Sequence, residues 1–279
     1  MKSSAGSPNS AEAPTTAMIE LRKLTKAFGR KIALRGVDLR IAPGESLVIF
    51  GPNGAGKTTL IRILSSLSRP TSGAVYIGGL DLKTHAEGIR HHLGVVSHAP
   101  LLYDSLTAEE NLRFFGRLYG VAHLEARVAL LLEQVGLTAR RGDLVRTFSR
   151  GMTQRLSIAR ALLHDPEILL LDEPDTGLDP QAAEMLHRLL AELSGRASGS
   201  RPDAADLSPD VTGSASGSAV CAARTIVTVT HILERGLALA DRVIILANGR
   251  VVYDADAGAL TPSELRPLYD EHVGGGGGR

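Results

Sequence analysis

Residues 51–58 are the part of the sequence best suited to chemistry, because glycines, a lysine and a hydroxyl residue occur there at fixed spacing. The run reads Gly51-Pro52-Asn53-Gly54-Ala55-Gly56-Lys57-Thr58, and Thr59 follows it. It matches G-x-x-x-x-G-K-S/T, a pattern in which backbone N–H groups and a helix N-terminus surround phosphate oxygens. An apolar run at 46–50 precedes it and apolar residues at helical spacing follow, so strand, loop and helix occur in the required order. The sequence therefore predicts a nucleoside triphosphate site rather than a plain surface glycine loop.

The residue types of this loop suit distinct tasks in phosphate binding. The backbone N–H groups of Gly54, Ala55 and Gly56 can form a concave nest for an anion. Lys57 would reach the β- and γ-phosphates as a point charge, and the Thr58 hydroxyl would ligate Mg²⁺. The loop does not by itself indicate what hydrolysis would drive.

Two carboxylates, Asp172 and Glu173, end a second apolar run that begins at Ile168. At the carboxyl end of a parallel strand, Asp172 can hold magnesium, and Glu173 can polarise a water for attack on the γ-phosphate. A helix N-cap explains many such acid pairs. The pair becomes a strong signal only together with the loop at Gly51.

Strands and helices alternate along the chain, which favours a mostly parallel sheet. Residues 19–41 instead alternate and turn like antiparallel strands. From about 87 to 164 the pattern is that of an inserted helical unit, within which Thr107-x-x-Glu110 predicts a capping box. The expected fold is therefore α/β.

Composition limits the class of protein. The 279 residues carry a net charge of +1 and one cysteine, so nothing suggests a nucleic-acid surface, a disulfide framework or a cysteine metal site. No run of 18 apolar residues is present. We expect a disordered leader at 1–17, a disordered insert at 195–223 and a flexible tail at 261–279, because these segments are rich in small and polar residues.

Five motifs occur in a fixed order: the loop at Gly51, Phe148-Ser149-Arg150-Gly151-Met152, Leu171-Asp172-Glu173-Pro174, Thr176-Gly177-Leu178-Asp179 and Thr230-His231. In this order they resemble the ATP-binding subunit of an ABC transporter, over about residues 19–253. The resemblance implies a P-loop ATPase domain at 18–260, with a mostly parallel core sheet, an N-terminal antiparallel β subdomain and a helical subdomain at about 87–164. It also implies ATP and Mg²⁺ as cofactors, hydrolysis of ATP, and two such subunits that enclose two ATP molecules.

The same resemblance implies roles for five further residues. Ser149 and Gly151 would contact the γ-phosphate of the ATP bound by the other subunit. Phe28 would stack on adenine, although core packing is the alternative. Asp179 would lie in the loop between subunits, or would only cap a helix. His231 would reach the γ-phosphate.

The sequence departs from the family pattern at two places. Arg150 and Met152 replace the usual glycine and glutamine of Leu-Ser-Gly-Gly-Gln, and Arg150 could add positive charge near the partner's phosphate or face solvent. A glutamine normally follows the strand at Gly94, but here the position falls on His98 or, with a one-residue gap, Ala99. Absence of this glutamine affects the coupling between the magnesium, the attacking water and the membrane partner.

Short strings that include Ser97-His98, Leu102-Tyr103-Asp104 and Ser149-Arg150-Gly151-Met152 resemble the haem exporter ATPase of cytochrome c maturation. This implies a cytoplasmic homodimer on the inner face of the membrane that drives integral membrane transporter subunits in haem export. The first alternative is an exporter of drugs, lipids or other small molecules. The others are a soluble ATPase of this class acting on ribosomes or DNA repair, and a binder that senses ATP without turnover.

Overall fold

A six-stranded sheet forms the centre of the chain in the computed structural model, which describes residues 17–97, 99–195 and 223–274. Its strands, numbered in chain order, are β3 (Ser46–Phe50), β6 (Leu93–Val96), β7 (Ile168–Asp172), β8 (Thr225–Val229), β9 (Arg242–Ala247) and β10 (Arg250–Asp256). They lie in the order β10-β9-β3-β8-β7-β6, and every pair is parallel except β10 with β9. All residues of β3, β7 and β8 are buried, which explains why these strands lack an alternating polar face.

A second sheet is built from the N-terminal part of the chain and is entirely antiparallel. It contains β1 (Ile19–Phe28), β2 (Lys31–Ile41), β4 (Ser72–Ile77) and β5 (Leu80–Asp81), in the order β2-β1-β4-β5. In the register, Ile19 lies opposite both Ile41 and Ile77. All three isoleucines are buried against the central sheet's cluster, so the two sheets share one core. The α/β fold class with its antiparallel N-terminal unit is confirmed.

Three helices pack together as one block: α3 (Ala108–Leu118), α4 (Leu124–Gln134) and α5 (Arg150–Leu162). Their apolar core is continuous with Val96 of β6 and Leu171 of β7 in the central sheet. The predicted capping box opens α3, since the Thr107 hydroxyl accepts from the Glu110 N–H and the Glu110 carboxylate accepts from the Thr107 N–H. Leu112, Val128 and Leu156, one from each helix, are buried together.

The other α-helices of the described residues are α1 (Lys57–Leu64), α2 (Leu82–Arg90), α6 (Pro180–Leu193), α7 (Leu233–Leu239) and α8 (Pro262–Gly274). Within the described ranges, no helix has both the length and the apolar composition needed to cross a membrane.

The predicted helical unit at about 87–164 starts too early. Residues 93–96 are strand β6, which pairs with β7 in the central sheet, so the helical block begins only after Ser97. The strand that the family pattern places at Gly94 is therefore present, and the error lies only in counting it within the helical unit.

The flexible tail predicted at 261–279 is wrong over most of its length. Residues 262–274 form α8, and Leu265 is fully buried against Val48 and Phe50 of the central strand β3. The domain therefore extends beyond the predicted boundary at 260. The leader at 1–17 and the insert at 195–223 lie outside the described residues except at their ends, as do residues 275–279.

Candidate functional site

The glycine-rich loop joins β3 to α1, at the carboxyl edge of the central sheet. Gly51 and Gly56 have φ angles of 152° and 110°. A Cβ atom at Gly51 would lie 2.1 Å from the Leu246 carbonyl oxygen, and one at Gly56 would lie 2.5 Å from that of Ala33. Both positions need glycine for conformation and for space. The first N–H groups of α1 have no acceptor within the helix, so this end of the helix is suited to bind an anion.

Lys57 is the first residue of α1 and is only 7% exposed. Its ammonium donates to the carbonyl oxygens of Gly51, at 2.6 Å, and Pro52, at 3.0 Å. Burial lowers the pKa of Lys57, while the nearby carboxylates of Glu173 and Asp172 act in the opposite direction. The structure thus brings the loop's lysine and the acid pair of β7 into one electrostatic environment.

Glu173 directly follows β7 and adopts a left-handed backbone conformation, with φ of 51°. Its N–H donates to the Val229 carbonyl oxygen at 2.8 Å, which fixes the start of the following loop against β8. A non-glycine residue in this conformation costs about 1–3 kcal/mol, and such residues cluster at functional sites. Asp172, the last residue of the strand, is buried.

The two oxygens of Glu173 have different neighbours. The Thr176 hydroxyl donates to Oε2 at 3.3 Å, and His231 Nδ1 lies 3.5 Å from Oε1. This pairing follows from topology, because Asp172 and Val229 are register partners at the ends of the adjacent strands β7 and β8. The structure therefore brings Glu173 and His231 together as an acid–imidazole pair beside Lys57.

The predicted nucleotide-contacting residues differ in exposure. Asn53, Gly54 and Thr58 are exposed, Pro52 and Thr59 are half-buried, and Ala55 is buried. Phe28 is 55% exposed at the end of β1, with the Lys26 ammonium 4.8 Å from its ring centroid. Core packing, the alternative role considered for Phe28, is thereby excluded.

Residues 148–152 lie next to the acid pair, since Phe148 and Arg150 line one cavity together with Asp172 and Glu173. Ser149 caps α5, and its hydroxyl accepts from the Met152 N–H at 3.3 Å. Gly151 faces the carbonyl oxygen of Gly177. The contacts of Ser149 and Gly151 within the chain thus lie in α5 and in the segment after β7.

Asp179 caps α6, since its Oδ1 accepts from the Ala182 N–H at 2.8 Å and Pro180 occupies the first helical position. The capping role considered for Asp179 is thus present in the structure. Of the two candidates for the missing glutamine, His98 lies outside the described residues. Ala99 is exposed, and its carbonyl oxygen accepts from the Ser97 hydroxyl at 2.7 Å.

Two residues that hold the loop after Glu173 are not among the predicted site residues. Thr176 enters the sequence patterns only as part of a motif, although its hydroxyl contacts Glu173. Gln154 donates to the Pro174 carbonyl oxygen at 3.0 Å. Its position one helical turn after Arg150 was a usable signal, because residues i and i+4 share a helix face.

The side chains that could ligate magnesium, Thr58 and Asp172, suit this ion only when phosphate oxygens of the nucleotide supply further ligands. In the described part of the chain, no cluster of three or more His, Cys, Asp or Glu residues could hold a metal alone. Thr58 lies beside Lys57, and Asp172 is close enough to affect the Lys57 pKa. One or two protein oxygens supplemented by substrate phosphates are what Mg²⁺ requires in nucleotide sites.

A family model described as ABC transporter matches residues 34–176, just over half of the chain. The chain is 40% identical over 179 residues to the linearmycin resistance ATP-binding protein LnrL of Bacillus subtilis, a match that covers 63% of this chain and 58% of LnrL. It is 34% identical over 252 residues to the Nod factor export ATP-binding protein I of Cupriavidus metallidurans, covering 90% of this chain and 75% of that protein.

Among solved structures, a similar one is the dimeric post-hydrolysis state of the ATP-binding cassette MJ0796 bound to ADP and Pi. It has a TM-score of 0.72 and 28% sequence identity, and the match covers 86% of this chain and 99% of that chain.

Proposed function

The chain belongs to the ABC transporter family as an ATP-binding subunit with ATPase activity, and from this premise we propose that it drives the export of a small molecule through a membrane partner. The observation that carries the catalytic part is the placement of Glu173 between Thr176 and His231, beside Lys57. The export part rests on similarity to one resistance protein and one export protein. Neither of these is described as a haem exporter, so they support the first alternative drawn from the sequence rather than haem export.

The proposed mechanism assigns a separate task to each side chain. Lys57 binds the β- and γ-phosphates as a fixed cation, assisted by the N–H groups of the loop. Glu173 accepts a proton from the attacking water through its carboxylate, while Thr176 and His231 hold that carboxylate in place. Thr58 and Asp172 would hold Mg²⁺, which when bound neutralises phosphate charge.

We also propose that two copies of the chain act together. Ser149 and Gly151 lie at the N-terminus of α5, where a helix favours an anion, and a second copy would supply the phosphate that this end binds. The dimeric similar structure supports this arrangement. Stacking of Phe28 on adenine and a contact of Asp179 with the other copy belong to the same proposal.

A membrane partner requires a docking surface, and the helical block offers one. Leu101, Tyr103, Phe114 and Leu118 are all exposed, and we call them the aromatic surface. The Tyr103 and Phe114 rings meet edge to face with centroids 5.0 Å apart, and Leu118 lies one turn beyond Phe114 on α3. Contiguous exposed apolar residues are typical of interaction sites. We propose that the membrane subunit covers this surface and keeps the chain at the inner face of the membrane.

We expect Leu118→Glu to reduce the membrane-bound fraction of the full chain several-fold in cells that express its membrane subunit, because burying an unpaired carboxylate in an apolar interface is costly. Leu118 is 67% exposed, so folding and ATPase activity should not change. Leu130→Glu, at a 44% exposed leucine on α4, is the matched control. Equal membrane fractions for the two variants would show that the aromatic surface is not the docking site.

Export itself is tested in a strain that lacks this chain. We expect higher intracellular retention of an exported compound, tested with linearmycin first and then a drug panel, and restoration by the wild-type chain but not by Glu173→Gln. The content of c-type cytochromes, measured by haem staining, should not change. Loss of c-type cytochromes with unchanged drug retention would contradict the proposal and favour haem export.

A further inference from the structure

The side chain of Arg150 lies across Gly177, in the segment that connects the acid pair to α6. We propose that Arg150 is a positioning residue: its aliphatic stem holds segment 173–179 against the start of α5 and so fixes Glu173 for hydrolysis. This rests on Glu173 acting as the general base, as proposed above. It assigns a role to Arg150, which stands where the family usually has glycine.

The close fit of Arg150 on Gly177 is the observation that carries the proposal. A Cβ atom on Gly177 would lie 2.7 Å from Cδ, 2.8 Å from Nε and 2.9 Å from Cγ of Arg150. Side-chain atoms do not approach a real Cβ this closely, so the stem occupies space that only glycine leaves open. Gly177 also has φ of +83°, a conformation that favours glycine.

The same segment meets α5 at two further points. A Cβ atom on Gly151 would lie 3.2 Å from the Gly177 carbonyl oxygen, so Gly151 also permits a close approach. Gln154 donates to the Pro174 carbonyl oxygen at 3.0 Å. Arg150 and Gln154 are one helical turn apart and therefore hold the two ends of the segment from a single helix face.

The opposite side of the segment contacts α6. His187 Nε2 lies 3.3 Å from Asp175 Oδ1 and both side chains are largely buried, but the two atoms do not form a hydrogen bond. Loss of the Arg150 contact would therefore free chiefly the part around Gly177. Thr176 is the neighbour of Gly177 and bonds to Glu173, so a displaced segment would move the carboxylate. Small misplacements of a reacting group reduce rate strongly.

Charge provides the competing explanation for Arg150. Its side chain lines a cavity of about 240 Å³ together with Asp172 and Glu173, so the guanidinium could act on these carboxylates directly. The two explanations differ in whether the aliphatic stem of Arg150 is sufficient or its positive charge is also needed. Lysine keeps the stem and the charge, methionine keeps only the stem, and alanine removes both.

The test compares Arg150→Lys, Arg150→Met and Arg150→Ala in the full chain. Without nucleotide, hydrogen exchange of peptides covering 173–179 should increase only in the alanine variant, because local openings become more frequent. With ATP, kcat of that variant should fall about five-fold at unchanged KM, while lysine and methionine stay within about two-fold of wild type. Arg188→Ala, at an exposed arginine of α6, is the control and should match wild type.

Gly177→Ala supplies a second, independent test as a double-mutant cycle. We expect Gly177→Ala to lower kcat about ten-fold in the wild-type chain. In the Arg150→Ala background it should lower kcat by a clearly smaller factor, because that variant has already lost the contact. Additive losses would overturn the proposal. The proposal would also be overturned if Arg150→Ala matched the wild type in hydrogen exchange and in kcat. A third contrary result is a kcat of Arg150→Met as low as that of Arg150→Ala while Arg150→Lys stays at the wild-type rate.

Increased exchange with unchanged kcat would also overturn the positioning role. That result differs from a failure of the proposed function, which the Glu173→Gln variant tests by itself.

Discussion

Replacement of Glu173 by glutamine is expected to slow ATP hydrolysis by about 10²-fold or more while ATP remains bound. Glutamine has nearly the same shape as glutamate, and its amide oxygen can still accept from Thr176, so the loop should keep its conformation. An amide cannot take the proton of the attacking water. Phosphate release under saturating ATP measures the rate, and retention of labelled ATP on the purified chain measures binding.

The control for this variant is Glu234→Gln, which makes the same change at an exposed position of α7. It should hydrolyse ATP at the wild-type rate. If Glu173→Gln also does so, Glu173 is not the general base, and the assignment of His231 and Thr176 to its support fails with it.

Removal of the Lys57 side chain, as Lys57→Ala, is expected to weaken ATP binding by about 10- to 100-fold. Charge-assisted hydrogen bonds of this kind contribute about 1.5–3 kcal/mol each. The loss is specific to this lysine because its ammonium is held by Gly51 and Pro52 at the centre of the loop. Equilibrium titration with a fluorescent ATP analogue gives the Kd.

Two further variants make the Lys57 result interpretable. Lys83→Ala removes an exposed lysine of α2 and should leave the Kd unchanged. Lys57→Arg keeps the charge but not the compact shape, so it should restore binding only in part. An unchanged Kd for Lys57→Ala would place the phosphates away from the loop.

The local parts of the site could be predicted from sequence because each depends on neighbours in the chain. The loop at Gly51 needs a strand before it and a helix after it, and both leave clear apolar patterns. Glu173 and His231 each come after a buried strand that an apolar run indicates, whereas the contact between these two residues comes from the pairing of β7 with β8 in the structure. The capping box of α3 depends only on residues 107–110.

The errors concern features that depend on contacts distant in sequence. A strand is expected at Gly94, but only its pairing with β7 shows that β6 belongs to the central sheet and not to the helical unit. α8 contains few apolar residues, and its stability comes from burial of Leu265 against β3, a contact that no local pattern indicates. The packing of Arg150 on Gly177 is of the same kind. The sequence showed only that an arginine replaced a glycine, and its role needed the fold.

Every role proposed for these side chains requires that ATP binds at residues 51–59 and is hydrolysed with the help of Glu173. Calorimetric titration of the Glu173→Gln chain with Mg·ATP tests the binding part without interference from turnover. We expect saturable heat at one nucleotide per chain, and loss of most of that heat when Lys57→Ala is added. A folded sample that gives no saturable heat, or one that binds ATP equally well without Lys57, would show that this loop is not the nucleotide site.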